Sequence, residues 1–439
     1  AKGFTQKPGV DYGNVWAPTC RLRTFRMLLA EASTSSSIGV TAWDLTAAFL
    51  QAPVDKVIYM EQPLGYRVCG EHGVKLVWRL KKSIYGCKQS SRMFHLQVKR
   101  VLDMIGAVQS TADECLFLVN DGDACVKILV HVDDFLVTYN NRALYDKVFG
   151  HMQENFQLTD FDGVSKFLGI NVERMADGTF RIHQEPYIKE LLARLGVKEV
   201  AESPEAPGST ARLDPTGELE QHEQEFMDNV PYREAVGALF YLARATRFDI
   251  SHACSQVARF MANPSPRHWR AVLRIYAYLN RTSGKALKIA AKGLHCEVSH
   301  FLDGLADADW AGCKTTRRSH TGWMVRVGGV LVAWCSRRQT CVAQSTTEAE
   351  YIAAASLANE VIWWRRLCED LGYGGSGPIS MFCDNRSAAL LADHAGRFDG
   401  VKHIEIRHHV LRDYQRRGLI KVTWRPGSRM LADIFTKNC

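Results

Sequence analysis

The sequence predicts a multidomain protein of the α/β and α+β fold class. Its 439 residues exceed one ordinary core and correspond to about two to four domains. Short apolar runs mix with stretches of helical periodicity from Ile38 to Val137, and again after Val298. A segment rich in Pro, Ser, Thr, Gly and Glu, from Ala201 to Gln224, lies between these regions and predicts a linker.

The first half predicts short strands and one long amphipathic helix. The helix covers Gln89 to Ile105, with Met93, Leu96 and Val101 at helical spacing, and we expect it to cross behind the sheet. The candidate strands are Ile38 to Asp44, Val57 to Met60, Val74 to Leu80, Cys115 to Val119, Val126 to His131 and Phe135 to Tyr139.

The second half predicts a helical region followed by a mixed region. Helices are expected at Tyr232 to Met261 and His268 to Leu279, separated by the prolines at 264 and 266. From about Val298 the pattern predicts three strands and then a long helix from Thr346. The remaining elements are a strand Ile379 to Cys383, helices near Ser387 and His408, a strand Ile420 to Trp424 and a closing helix.

Composition narrows the classes of function. The formal charge of +8 is compatible with a polyanionic partner, although it does not prove one. The apolar run Val330 to Cys335 is too short for a bilayer, so no membrane segment is expected. The 13 cysteines form no CxxC pair, which favours reduced thiols in an intracellular protein. Because no signal peptide opens the chain and the first methionine is Met27, we expect a piece of a longer protein.

Two acidic signals in the first half predict a metal site. Asp44 ends a strand, and Asp133-Asp134 joins two apolar strands as the tip of a hairpin. A lone Asp-Asp pair is usually only a turn former. Together with Asp44, however, the pair would concentrate negative charge unless a cation neutralises it, and phosphoryl transfer requires oxygen ligands that hold two Mg²⁺ ions.

Acidic residues in the last segment predict a second metal site. They are Asp307 or Asp309, Glu348 or Glu350, Asp384 and Asp433. Asp307 and Asp309 share a strand face, so spacing does not choose between them. Glu348 and Glu350 point in different directions on a helix, so only one can join the site. An isolated Glu348 would otherwise be a helix N-terminal acid, with Thr346 or Thr347 as the cap.

The motifs of the first half resemble those of the Ty1/copia reverse transcriptase. The resemblance rests on Asp44 to Pro63, Leu80 to Gln89 and the Val-Asp-Asp tip. It implies a right-hand polymerase palm with Asp44 and Asp133 as the main metal ligands and Asp134 as a supporting carboxylate. It also implies nucleotide binding by Leu45, Phe49 and Gln89, with Phe49 crowding the 2′ position. Apart from the resemblance, Phe49 is a plain core aromatic.

The last segment resembles the copia-type ribonuclease H. This resemblance rests on several runs, together with the histidine-rich run that ends at His409. They are Asp307-Ala308-Asp309-Trp310, Ser345-Thr346-Thr347-Glu348-Ala349-Glu350, Cys383-Asp384-Asn385 and Ala432-Asp433-Ile434-Phe435-Thr436-Lys437. It implies that Asp307, Glu348, Asp384 and Asp433 hold two metal ions. His403, His408 and His409 are interpreted as structural or phosphate-facing residues. Four arginine pairs, at 317–318, 337–338, 365–366 and 416–417, suit a groove that follows phosphates.

The combined resemblance implies an organisation and an activity. Residues 1–200 would form incomplete reverse transcriptase fingers and palm, 201–230 a linker, 231–297 a helical thumb or connection region, and 298–439 a ribonuclease H-like mixed sheet flanked by helices. The implied activities are RNA-directed DNA synthesis and cleavage of RNA–DNA hybrids, with two Mg²⁺ per active site and Mn²⁺ as the alternative. The implied partners are an RNA template, a DNA primer, RNA–DNA hybrid, dNTPs and other retroelement polyprotein products.

The implied location is intracellular, in a cytoplasmic retroelement particle with a nuclear stage. Three features depart from the family pattern, and the largest is that Ala1 comes just after the place where the family has a basic finger segment that holds the triphosphate. His131 replaces a tyrosine, and Ser90-Ser91 replaces an Ala-Pro pair. These departures motivate an alternative function, a polymerase-defective remnant that retains the nuclease or only binds nucleic acid.

Overall fold

The computed structural model describes residues 1–196, 204–208, 213–294, 297–313, 315–393 and 409–438. The chain divides into two compact units. The first unit contains residues 1–28 and 35–168, and the second contains residues 29–34 and 169–439. Within the described residues, no helix combines the length and the apolar character needed to cross a bilayer.

The first unit combines a six-stranded antiparallel sheet with helices on one face. Its helices are α2 (Ser90–Asp103) and α3 (Arg142–Asn155), and α1 (Leu22–Ala32) begins in this unit. Its strands are β1 (Gly39–Leu45), β2 (Tyr59–Glu61), β3 (Val77–Arg79), β4 (Val108–Gln109), β5 (Leu116–Asp121), β6 (Ala124–His131), β7 (Asp134–Tyr139), β8 (Leu158–Asp160) and β9 (Lys166–Phe167). The sheet order is β4-β5-β6-β7-β1-β8, and β2 pairs with β3 in a separate hairpin.

Alternation along the central strands explains why the helices cover one face of this sheet. Val126, Ile128 and Val130 of β6 join one apolar core with Phe94 of α2 and Tyr145 of α3. Residues two apart on a strand share a face, so β6 presents a continuous apolar surface to both helices. The predicted helix behind the sheet and the predicted strands on both sides of the Asp-Asp tip are confirmed.

The second unit begins with a small antiparallel sheet and a helical core. The strands that the second unit contributes to this sheet are β10 (Ile170–Arg174), β11 (Phe180–His183) and β12 (Leu287–Ile289), in the order β12-β11-β10. The helices are α4 (Glu185–Arg194), α5 (Gln221–Asp228), α6 (Tyr232–Ala245), α7 (Ser251–Ala258) and α8 (Pro266–Arg281). They share a core that includes Leu191, Val236, Leu239, Val257 and Ile275.

Three features of this region differ from the sequence-based expectations. Residues 169–194 pack in the second unit, whereas the predicted domain boundary falls at residue 200, because β11 pairs with the distant β12. Helix α5 lies inside the predicted linker of residues 201–230. The predicted helix from Tyr232 to Met261 is two helices, because the buried Arg247 guanidinium bonds to Asp249 and to the Thr282 carbonyl at the break. The functional division into palm, thumb and nuclease domains stays a prediction.

The remainder of the second unit is a five-stranded mixed sheet with helices. Its strands are β13 (Leu302–Asp309), β14 (His320–Val327), β15 (Val330–Arg338), β16 (Ile379–Cys383) and β17 (Ile420–Trp424), in the order β15-β14-β13-β16-β17. The first three strands pair antiparallel, and β16 pairs parallel with both β13 and β17. The helices are α9 (Val298–Phe301), α10 (Thr346–Asp370), α11 (Arg386–Asp393) and α12 (Val410–Arg416).

The predicted α/β and α+β class with a C-terminal mixed sheet is confirmed in this arrangement. The predicted closing helix is wrong, because the chain forms two short 3-10 turns at Gly427–Arg429 and Leu431–Phe435 instead. The predicted helix start near His408, together with His403, lies outside the described residues.

Candidate carboxylate sites

The first site lies where β1 meets the β6–β7 hairpin. Asp44 and Asp134 are directly opposite each other in the antiparallel pairing, and residues in this relation project from the same face of the sheet. The Leu45 amide donates to the Asp133 carbonyl at 3.2 Å, which joins the third aspartate to the same strand end. The structure therefore brings the predicted residues Asp44, Asp133 and Asp134 together at the ends of β1 and the β6–β7 hairpin, where all three are half-buried.

The hairpin tip, residues 131–134, is strained and negatively charged. Val132 has φ of 56°, a conformation that is unfavourable for a β-branched residue. Burial and then the neighbouring Asp133 and Asp44 charges raise the pKa of Asp134. Burial lowers the pKa of His131, against the opposing effect of Asp134 and Asp133, and its Nδ1 lies 3.5 Å from Cys20 Sγ. A neutral imidazole beside crowded carboxylates leaves charge at the tip for a cation to neutralise.

The predicted nucleotide-binding residues are engaged within the first unit. Leu45 is 2% exposed and belongs to the core. Phe49 is half-buried against Tyr85, with 4.6 Å between ring centroids. Gln89 is fully buried; its Oε1 accepts from Gln6 at 3.0 Å and its Nε2 donates to the Asp11 carbonyl at 2.9 Å. These contacts do not support direct nucleotide contacts by the Leu45 or Gln89 side chains, and the predicted roles stay predictions.

The second site is a group of carboxylates on separate elements of the mixed sheet. Asp307 lies on β13, Glu350 lies on α10, and Asp384 follows β16. One oxygen from each of these three side chains lies within 4.8 Å of the other two. We call these three residues the acidic cluster. Asp309, the alternative to Asp307, instead accepts a hydrogen bond from the His320 backbone amide at the strand end.

The structure corrects the choice between the two glutamates of α10. Ser345, rather than a threonine, caps this helix, and its Oγ accepts from the Glu348 amide at 3.1 Å. The Glu348 carboxylate accepts from the Gln344 amide at 2.7 Å, so this residue belongs to the helix start. Because residues two apart on a helix project in different directions, Glu350 is the one that reaches the cluster.

Asp433 borders the acidic cluster from the 3-10 turn Leu431–Phe435. It is half-buried and bonds to Lys437 at 2.6 Å. The Thr436 hydroxyl donates to Asp307. The sequence motif that contains Asp433 also contains Thr436 and Lys437, but it gave them no role, since their contacts with Asp307 and Asp433 depend on the short turn that brings them close.

Crowding shifts the ionisation of the cluster. Burial and then the charges of Asp307 and Asp384 raise the pKa of Glu350 to about 9. Burial and the charges of Asp433 and Asp384, partly offset by Thr436 and Lys437, raise the pKa of Asp307 to about 6. Burial and Asp433 raise the pKa of Asp384. Three carboxyl groups that resist ionisation together form a pocket that divalent cations would stabilise.

Unsatisfied oxygens indicate that a hard cation fits this pocket. Among the described residues, Glu350 Oε2 and Asp433 Oδ1 are buried without a hydrogen-bond partner. Buried polar atoms normally have hydrogen-bond partners, so two such oxygens at one site are available to bind a cation. An all-oxygen donor set of carboxylates suits Mg²⁺ or Mn²⁺ rather than a soft metal.

Other sequence-predicted groups have structural contacts. His409 packs near the Tyr351 ring, at 6.3 Å between centroids, while His403 and His408 lie outside the described residues. Arg365 is 7% exposed and donates to the carbonyls of Gly375 and Leu419 at 3.3 and 3.1 Å. The 365–366 pair is therefore not a free phosphate-facing pair.

Comparisons with known proteins add a family to these two sites. Residues 1–204 match the family model described as reverse transcriptase (RNA-dependent DNA polymerase), which gives the class of protein. The chain is 33% identical to the Retrovirus-related Pol polyprotein from transposon TNT 1-94 of Nicotiana tabacum and 33% identical to that from transposon RE1 of Arabidopsis thaliana. The alignments cover 99% and 100% of this chain, but only 32% and 29% of those polyproteins.

Among solved structures, the foamy viral protease-reverse transcriptase in complex with RNA/DNA hybrid aligns with 90% of this chain and 44% of that one, at 14% identity and a TM-score of 0.49. Over nearly its whole length the chain is similar to a section of the Pol polyproteins of Ty1/copia-type transposons, and the reverse transcriptase match falls in its first 204 residues. It spans about a third of the length of the curated relatives, at 32% and 29%.

Proposed function

We propose that the chain is the part of a copia-type polyprotein that synthesises DNA on an RNA template and cleaves the RNA strand of the resulting hybrid. The observation that carries the proposal is the convergence of acidic residues at two separate places. Asp44 and Asp134 face each other in the first unit, and three carboxylates lie within 4.8 Å of one another in the second. The substrates would be a DNA primer on RNA, dNTPs and an RNA–DNA hybrid.

In the first unit, Asp44, Asp133 and Asp134 would hold the cations of the polymerase. Divalent cations supply charge neutralisation and activation of an attacking oxygen when bound between such carboxylates. The β1–β7 pairing and the hairpin turn determine where the three aspartates lie. The β1–β7 register sets Asp44 against Asp134, and the two-residue tip directs Asp133 toward the same strand end. Phe49, held by Tyr85 and Phe94, would provide an apolar wall beside the incoming nucleotide.

In the second unit, Asp307, Glu350, Asp384 and Asp433 would form the nuclease site. Glu350 Oε1 accepts from the Ala308 amide at 2.9 Å, which fixes its carboxylate while Oε2 stays free for a ligand. Thr436 orients Asp307, and Lys437 balances the charge of Asp433. These residues would orient the ions and the hydrolytic water at the RNA phosphate.

A pair of single substitutions tests the proposal. We expect Asp133→Asn to abolish primer extension with Mg²⁺ while cleavage of a labelled hybrid persists, and Glu350→Gln to do the reverse. Loss of both activities in both variants, with folding intact by circular dichroism, would contradict two independent sites.

A nuclease without polymerase activity is the second candidate. The specific observation in its favour is that Gln89 is fully buried and bonded to the N-terminal residues Gln6 and Asp11. Hybrid cleavage by the intact chain without extension on any primed template would select this alternative.

We also propose that the protein acts inside a cytoplasmic retroelement particle with a nuclear stage, alongside other polyprotein products.

A further inference from the structure

A cavity in the second unit, separate from the acidic cluster, has cationic side chains in its lining. Its volume is about 300 Å³, and it lies between α7, α8 and the ends of β13 and β15. None of Asp307, Glu350, Asp384 and Asp433 belongs to its described lining. The cavity is therefore distinct from the proposed nuclease site, and neither carboxylate site explains it.

The charged residues of the lining are mostly arginines, namely Arg259, Arg318 and Arg338. Asp309 is the acidic residue of the described lining. Three positive charges against one negative charge leave an excess of two when the nearby thiol is protonated. Arg259 and Arg338 converge on Cys313, whose Sγ lies 2.9 Å from Arg259 Nη2 and 4.0 Å from Arg338 Nη1. Arg259 Nη1 also donates to Gln256 Oε1 at 2.9 Å. Within the part of the chain that the structure describes, the contacts of Arg259 and Arg338 are thus with the thiol and an amide oxygen rather than with carboxylates.

The ionisable groups around the cavity respond to this positive charge. Burial, followed by His252 and then Arg259 and Arg338, holds the pKa of His320 well below its usual value. Burial would raise the pKa of Cys313, but hydrogen bonds to Thr316 together with Arg259 and Arg338 bring it below its usual value. Arg259 and Arg338 contribute to both shifts, in the direction expected near positive charge, although burial is the larger cause for His320 and Thr316 the larger lowering cause for Cys313.

One polar atom of the lining residues lacks a partner. Among the described residues, Arg259 Nε is buried without a hydrogen bond. Leaving a buried donor unpaired is unfavourable, so a ligand with acceptor oxygens would be stabilised here. The volume falls at the lower end of the range for small-molecule sites, which is roughly 300–1,000 Å³.

We propose that this cavity binds a small phosphate-bearing ligand, of the size of a nucleoside monophosphate, through Arg259, Arg318 and Arg338. Guanidinium groups pair with phosphate oxygens in a planar, two-pronged geometry. A dianionic phosphate matches the excess of two positive charges better than a single carboxylate does. Binding here does not depend on either carboxylate site being catalytic.

Cys313 is a built-in reporter for the test. The full chain is alkylated with iodoacetamide in chloride buffer, and the modified Cys313 and Cys69 peptides are quantified by mass spectrometry. Cys69 is exposed in the first unit and serves as the internal control. Inorganic phosphate or adenosine monophosphate is then added at constant ionic strength. At a ligand concentration ten times the dissociation constant, we expect about tenfold slower alkylation of Cys313, with Cys69 unchanged.

Variants separate a specific site from diffuse charge. Arg318→Gln removes a lining charge that is not bonded to Cys313 in the described contacts, and it should abolish the protection. Arg317→Gln removes the adjacent exposed arginine, which does not line the cavity, and should preserve it. Thermal melting establishes that each variant is folded.

Equal Cys313 rates with and without phosphate would overturn the proposal, as would equal loss of protection in the two variants. Protection by short single-stranded DNA alone, with none from phosphate or the mononucleotide, would overturn a small-ligand site in favour of a nucleic-acid contact. If Arg318→Gln does not fold, equilibrium dialysis of labelled mononucleotide with the unmodified chain decides, and absence of binding refutes the proposal.

Discussion

The two carboxylate sites achieve the same concentration of charge by different means. In the first unit, three half-buried aspartates lie where β1 ends and β7 begins, and one of them, Asp133, belongs to a strained two-residue turn. In the second unit, Asp307 and Glu350 are 2% and 5% exposed and belong to different elements that pack together. The first site depends on strand register, whereas the second depends on burial. We therefore expect the first site to be sensitive to strand register and turn geometry, and the second to be sensitive to pH.

The largest expected effect tests the membership of the buried site. Glu350→Gln should lower hybrid cleavage by about a thousandfold, since loss of a cation ligand removes several kcal/mol of transition-state stabilisation. Glu348→Gln is the matched control, because it changes the same chemistry at the helix start, and it should retain most of the activity. Cleavage of a fluorescent hybrid measures both. A severe loss for Glu348→Gln with activity retained in Glu350→Gln would reverse the assignment.

The corresponding test of the open site is Asp133→Asn. We expect primer extension to fall by at least about a hundredfold, because the amide removes a ligand charge at the tip. Hybrid cleavage should remain within twofold, roughly the variation expected for a distant surface substitution. Gel-resolved extension and cleavage assays on the same preparation give the ratio. An equal loss in both assays would indicate that the two sites are not independent.

Burial should make the second site sensitive to pH in the absence of divalent cations. The pKa of Glu350 is raised from 4.5 to about 9. The protonated carboxyl group therefore contributes its full stabilisation at pH values below 4.5, the pKa in the unfolded chain. This contribution is lost as the pH rises from 4.5 toward 9, the pKa in the fold. The free energy of unfolding should fall by up to about 1.4 kcal/mol per pH unit across this window.

Urea unfolding of the second unit at pH 6 and pH 9, with a chelator, measures this slope. Glu350→Gln should flatten it, and Mg²⁺ should restore stability at pH 9, because the cation replaces the lost proton. A slope unchanged by Glu350→Gln would show that other groups control the pH response.

The smallest expected effect concerns the open site and its turn. Val132→Gly should raise the free energy of unfolding of the first unit by about 1 kcal/mol, because glycine adopts the left-handed conformation without a Cβ clash. Extension should fall at the same time, since a looser turn no longer fixes Asp133. Val130→Ala, in the strand β6 that precedes the turn, is the control that lowers stability through lost packing. A stability loss for Val132→Gly would contradict turn strain.

Sequence reasoning succeeded where periodicity controls structure. The strands around the Asp-Asp tip and the mixed sheet after Val298 follow from alternating apolar residues that must face a core. It failed at the break between α6 and α7, because a buried arginine bonded to a distant carbonyl ends the helix there. Apolar periodicity contains no information about that long-range bond.

The missed glutamate shows a signal that was present in the sequence. Ser345 precedes Glu348 by three residues, a spacing typical of a helix N-terminus, and the structure shows that hydrogen bond. Recognising the cap would have assigned Glu348 to the helix start and left Glu350 for the site. Thr436 and Lys437 had no comparable signal, because a short irregular turn brings them close to Asp307 and Asp433.

The one-to-one opposition of Asp44 and Asp134 also has a genetic consequence. Side chains alternate faces along a strand, so deleting or inserting a single codon within β7 would turn Asp134 away from Asp44 while every aspartate is still encoded. Copies of such an element can thus lose synthesis silently. Whether a genomic copy is intact has to be judged by the length of this hairpin as well as by its acidic residues.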